Sequence, residues 1–307
     1  MDNKITTQSD VTLPPARAGQ AGLGRFIVVF GTKGGVGKTL VASNLAVGLA
    51  LRSRQPVCLI DLDIMAVGDV CKVLGLAAPH SLVDVMPALK QAAAAAATPG
   101  PKAARSALEG LMAPHASGVH VLTCCANPRQ VGQLDAKALP LVFDELTRRY
   151  EYVVVDGGKM FSEALIAAFD AANLILLVAA PDVITLYQTK WALGLVESLS
   201  FPSMMIKAVV NRTDSRGGLG RQDVRTALPC EVISEIPSDG RVVGTSMNQG
   251  TPVVTAFGDS KVAEAFFKLA DALVTRHDLY VEHQDIARRR HPAKSGDRKS
   301  TRLNSSH

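Results

Sequence analysis

Apolar residues along this chain gather into short runs separated by longer amphipathic stretches. Arg25–Gly31 (RFIVVFG), Val57–Leu62, Gly118–Thr123, Tyr152–Asp156 (YVVVD), Leu174–Ala179 (LILLVA), Met205–Asn211 and Glu231–Ile236 read as strands. Most are apolar at successive rather than alternate positions, which marks strands buried on both faces. Between them lie helical patterns. Thr39–Arg52 places Val41, Leu45, Leu49 and Ala50 on one face, and Asp135–Arg149 does the same with Leu139, Val142, Phe143 and Leu146. Ser162–Asp170, Asp182–Ser198 and Asp259–Thr275 read as further helices, with Asp182 as a cap. Ala164–Ala180 is long and apolar but broken by Asp170 and Asn173, so it reads as a helix followed by a strand rather than a membrane span.

Strands alternating with helices predict the α/β class, with a mainly parallel, doubly wound sheet and helices on both faces. One domain is expected over residues 24–280, between a disordered segment 1–23 and a disordered basic tail 281–307. A helix-rich stretch reaches about Lys90, and the Ala-rich 91–101 reads as a loop or frayed helix.

Charge changes this picture little. The net +5 invites a nucleic-acid reading, but from Glu282 to His307 seven Lys/Arg against three acids make +4, leaving +1 for everything before. The basic character belongs to the tail, including Arg288–Arg290, and not to a folded face, so specific nucleic-acid binding is not expected. Asp297–His307 back-translates into a common sequencing-adapter oligonucleotide, so these residues are read as a candidate assembly artefact without functional weight. Aromatics make up 5% of residues, too few for base-stacking platforms. Cys58, Cys71, Cys124, Cys125 and Cys230 are odd in number and contain no CxxC pair, which suits reduced cytosolic thiols and argues against a zinc or iron–sulfur site. Residues Met1–Leu23 lack the apolar core of a signal peptide.

The chemistry sits in Lys33-Gly34-Gly35-Val36-Gly37-Lys38-Thr39, between the first strand and first helix. Backbone N–H groups of such a loop point inward at anionic oxygens, and the helix N-terminus adds partial positive charge. Glycines permit close backbone approach. Lys38 is placed to reach the β/γ-phosphates and the Thr39 hydroxyl to ligate Mg²⁺. Thr32 stands where the strict phosphate-loop pattern has its first glycine. Asp61 and Asp63 follow one strand and Asp156 ends another, at the carboxyl ends where open α/β sheets bind ligands.

The two-lysine loop resembles the deviant Walker A motif of the MinD/ParA family of P-loop ATPases, and the resemblance extends over roughly Arg25–Val274. It implies ATP and Mg²⁺ as ligands and an ATP-dependent homodimer with slow turnover. Lys33 would cross the dimer interface to the partner's nucleotide, a role similar to an arginine finger. Asp63 would orient the attacking water, Asp156 would hold the Mg²⁺ shell, Asn211 would read adenine, and Pro237 of Ile236-Pro-Ser-Asp239 would pack beside the base. The family's usual D-x-P-x-G is replaced by Asp156-Gly-Gly-Lys159, which implies a looser second switch.

Within the family, Gly68-Asp69-Val70, Phe161-Ser-Glu163, Leu176–Val183 and Asn248–Pro252 are most similar to the CpaE/TadZ pilus-assembly branch. That implies a cytoplasmic factor recruited to the cell pole or inner membrane face. Its partners would be pilus or secretion machinery proteins, and it would meet the membrane only through them. The alternatives are a ParA/MinD-type partition or positioning ATPase, and a nucleotide-binding scaffold without useful hydrolysis.

Overall fold

The computed structural model describes residues 13–17, 23–77, 80–87, 108 and 110–282. The Ala-rich 91–101 segment, the tail beyond 282 and the adapter-like residues lie outside them. Eight strands form one sheet among the described residues: β1 (Arg25–Phe30), β2 (Val57–Asp61), β3 (Ala113–Pro114), β4 (Val119–Thr123), β5 (Tyr152–Asp156), β6 (Leu174–Ala179), β7 (Ile206–Asn211) and β8 (Val232–Ile236). Their order is β3-β4-β2-β5-β1-β6-β7-β8. Every pairing is parallel except β3 with β4 at the edge.

Strands β2, β5 and β6 are buried at every position, as their unbroken apolar runs require. The pleat sends alternate residues to opposite layers. Phe26, Val28 and Phe30 of β1 face a core shared with α3 (Leu139–Thr147), α4 (Glu163–Ala171) and α5 (Val183–Ser198). Ile27 and Val29 face the core built by α1 (Lys38–Ser53) and α9 (Lys261–Thr275). This is the doubly wound, two-faced sheet that strand–helix alternation predicts.

Some boundaries differ for local reasons. The stretch expected as one helix from Asp135 splits into a 3-10 turn at Ala136–Ala138 and then α3. Pro140, which lacks an N–H, sits in the first turn of α3, where that group has no intrahelical partner to lose. Asp182 caps α5 as expected, its Oδ1 accepting from the Thr185 N–H at 2.9 Å. Strand β3 and the helices α6 (Arg221–Ala227), α7 (Gly240–Gln249) and α8 (Val253–Ala256) were not anticipated; α2 (Asp69–Val73) falls in the helix-rich stretch.

The expected disorder of residues 1–23 does not hold for 13–17. Leu13 is 2% exposed, Arg149 Nη1 donates to the Pro14 carbonyl at 2.8 Å, and Arg17 pairs with Glu151 at 2.5 Å. The folded unit also reaches past 280. The Val281 N–H donates to the Asn173 carbonyl and Arg25 pairs with Glu282.

Candidate functional site

The loop 31–37 joins β1 to α1 at the carboxyl end of the sheet. Gly35 and Gly37 adopt left-handed φ of 76° and 97°. At Gly37 a Cβ would also fall 2.3 Å from Asn211 Nδ2, so both backbone angle and space require glycine. Around Gly34 and Gly35 the Cβ positions are open, with no atom within 4 Å. Helix α1 begins without a side-chain cap and without an acidic residue in its first turn. The first N–H groups of this long helix are therefore left to an external acceptor, and an anion suits them best.

Lys38 folds back over the loop, its Nζ donating to the Lys33 carbonyl at 3.3 Å. Burial lowers its pKa, opposed by Asp156 and Asp63 and reinforced by Lys159. A buried ammonium of this kind favours added negative charge nearby.

Strands β2 and β5 deliver the carboxylates together, since Asp61 and Asp156 are register partners. Thr39 Oγ1 donates to Asp156 Oδ2 at 2.6 Å. Asp156 is fully buried, and burial pushes its carboxyl up to about 6 against the pull of the Thr39 hydrogen bond. Asp61 is pushed well above the carboxylate range by burial and then by Asp156, and its Oδ2 has no hydrogen-bond partner. Asp63 accepts the Met65 N–H at 2.9 Å. Its carboxylate lies against Gly158, where a Cβ would come within 2.6 Å of it and φ is +67°.

These residues fit a nucleotide-bound Mg²⁺. Thr39 and Asp156 offer adjacent hard oxygens, and among the described residues no cluster of three or more His, Cys, Asp or Glu could hold a metal alone. Mg²⁺ characteristically takes one or two protein oxygens and completes its shell with phosphate and water. All five cysteines are free and four of them are buried.

The remaining sequence candidates occupy defined positions. Lys33 pairs with Asp182 of its own chain at 3.1 Å, a partner that sequence reading missed because the two lie 149 positions apart. Asn211, at the end of β7, is 3% exposed and donates from Nδ2 to the Val36 carbonyl at 2.8 Å, tying the loop to the sheet. Val36 itself is buried beneath the loop. Pro237 follows Ile236, the register partner of Asn211, so the two candidates for the base share one edge of the site. Sequence reading also did not find the contact between Gly158 and Asp63; the paired glycines after Asp156 were its only signal.

The sequence model of the CobQ/CobB/MinD/ParA nucleotide binding domain matches residues 27–253. The septum site-determining protein MinD of Thermotoga maritima is 28% identical over 255 residues, covering 81% of this chain and 87% of that protein. A ParA family ATPase from Chlorobium tepidum superposes with a TM-score of 0.72 at 18% identity, covering 82% of this chain and 99% of that one. MinD from Pyrococcus horikoshii, solved with Mg-ADP, gives 0.68 at 23% identity, with 82% and 97% covered. At those identities the two structures speak for the fold.

Proposed function

This chain belongs to the CobQ/CobB/MinD/ParA nucleotide-binding family, and from that premise we propose that it is a dimeric ATP-driven switch with slow hydrolysis. The observation that carries the reading is the Thr39–Asp156 contact of 2.6 Å at the mouth of an uncapped, glycine-lined helix N-terminus. Residues Gly34–Gly37 present N–H groups to the phosphates, and Lys38 exchanges the Lys33 carbonyl for phosphate oxygen. Thr39 and Asp156 hold Mg²⁺, which when bound offsets phosphate charge. Asp63 orients the water that attacks the terminal phosphorus, giving ADP and phosphate. Lys33 leaves Asp182 to reach the nucleotide of a second copy. Asn211 and Pro237 receive the adenine.

The role we infer for the switch is to localise or assemble a Tad-type (type IVc) pilus machine at the cell pole or inner membrane face. The CpaE/TadZ-like segments support it. The Thermotoga maritima MinD relative favours a second reading, a positioning ATPase of the septum-site type. No helix among the described residues is long and apolar enough to cross a membrane. In this proposal either role reaches a membrane through partners.

Phosphate release and fluorescent-ATP binding test the switch. The wild type binds and slowly hydrolyses ATP. Lys38→Ala loses binding, and Lys33→Ala keeps binding but loses hydrolysis by about 100-fold, in the range of transition-state charge stabilisers. Equal, negligible turnover in wild type and Lys33→Ala would leave a nucleotide-binding scaffold. Absence of ATP binding in the wild type would sink the whole reading.

A further inference from the structure

The turn that leaves β5 is built to bring residue 159 to the phosphate end of the site. The Gly157 N–H donates to the Val29 carbonyl at 2.9 Å, and a Cβ there would strike Leu165 Cδ1 at 2.7 Å. The Gly158 N–H points at Asp156 Oδ1 at 3.4 Å, and its Cα faces the Asp63 carboxylate. Two consecutive glycines thus squeeze the chain between the end of β1 and Asp63. A side chain at either position would push Lys159 away.

Lys159 is exposed, and among the described residues it makes neither a hydrogen bond nor an ion pair. The other two lysines of the site are engaged: Lys33 by Asp182, Lys38 by the Lys33 carbonyl. Lys159 follows directly on Gly158, which lies against the Asp63 carboxylate at the carboxyl end of the sheet.

We propose that the Lys159 ammonium is a ligand of the terminal phosphate group of the bound nucleoside triphosphate. The proposal rests on the nucleotide-switch reading above. Gly158 touches the carboxylate assigned to the attacking water, so its neighbour belongs at the terminal phosphorus and not at the base. A diphosphate lacks that group, so Lys159 distinguishes the two nucleotides. The contact also fixes the segment that follows. Phe161 packs edge-on against Phe30 at 4.9 Å and against Trp191 at 6.0 Å. Trp191 is the chain's one tryptophan and is 57% exposed, so its emission reports the position of this segment.

The test uses the full chain with Mg²⁺ and compares a non-hydrolysable ATP analogue with ADP by calorimetry and by Trp191 emission. Lys159→Ala should weaken the triphosphate analogue about tenfold, the scale of one hydrogen bond to a charged group, and leave ADP affinity unchanged. It should also abolish the emission change that only the triphosphate produces, and Lys159→Arg should restore both. Because Lys159 is exposed, the melting midpoint stays put. Equal loss for both nucleotides, no loss, or failure of Arg to restore would overturn the proposal while leaving the switch reading intact. A wild type that binds neither nucleotide would overturn both.

Discussion

The two ends of the sheet handle buried polar groups in opposite ways. At the amino ends of the strands the buried side chains Asn173, Glu145, Arg149 and Tyr150 are paired. Asn173 accepts the Phe26 N–H through Oδ1 at 2.8 Å and donates to the Val281 carbonyl at 3.0 Å. Arg149 and Glu145, both nearly fully buried, pair at 2.5 Å, and the Tyr150 hydroxyl meets His120 Nδ1 at 2.7 Å. At the carboxyl ends, across the five residues of β5, the balance reverses. Asp61 leaves an oxygen without a partner, Asp156 is held near 6, Lys38 is desolvated and α1 starts uncapped. One end carries stability; the other holds strain that a ligand can relieve.

Breaking the amino end should produce the largest effect on folding and none on the site. Asn173→Ala strands the Phe26 N–H and the Val281 carbonyl in the core. Two orphaned buried groups cost about 2–4 kcal/mol. Urea denaturation should show that loss, while ATP affinity stays at the wild-type value. A weakened affinity at unchanged stability would mean that the two ends are not separable.

The carboxyl end predicts a smaller change of opposite sign. Asp61→Asn keeps the shape of a side chain that is 3% exposed and removes a carboxyl whose charged form burial and Asp156 both oppose. Above the unfolded carboxylate pKa, folding must either take up a proton at Asp61 or bury its charge, so the variant should be more stable at pH 7.5 by about 1 kcal/mol. ATP turnover should fall at the same time, since an amide replaces a carboxyl oxygen beside Asp156. A variant that gained stability and kept full turnover would remove Asp61 from the strained group.

The contrast also explains what could be read in the sequence. Strands buried on both faces announce themselves as unbroken apolar runs, and the glycine loop leads into α1 within one residue of its expected start. Asp61, Asp63 and Asp156 were legible because carboxylates end apolar strands at the ligand-binding edge. The satisfying contacts of the other end were not. Asn173 reads as a break in an apolar stretch, and nothing local reveals that it clips residues 26 and 281 together. Leu13 reads as part of a loose leader until its pocket exists. Strand β3 has two residues, too few for a period, and α7 is short and mostly polar, with only Val242 and Ser246 buried. Long-range partners such as Lys33 and Asp182 leave no spacing to detect.

The smallest effect concerns protons at the amino end. Burial lowers the pKa of His120, so the folded protein resists the proton that the unfolded chain accepts near pH 6.5. Above that pH the ring is neutral in both states and contributes nothing. Below it the unfolded state binds the extra proton, and stability falls until the folded pKa is passed. His120→Gln, which retains an acceptor for the Tyr150 hydroxyl, should flatten part of the decline in urea midpoint between pH 7.5 and 5.5. What remains of the slope belongs partly to His115, whose pKa burial also lowers. An identical slope in wild type and variant would show that protonated His120 is tolerated within the fold. The amino end would then be less rigidly satisfied than its hydrogen bonds imply, because Tyr150 would have to donate elsewhere once Nδ1 carries a proton.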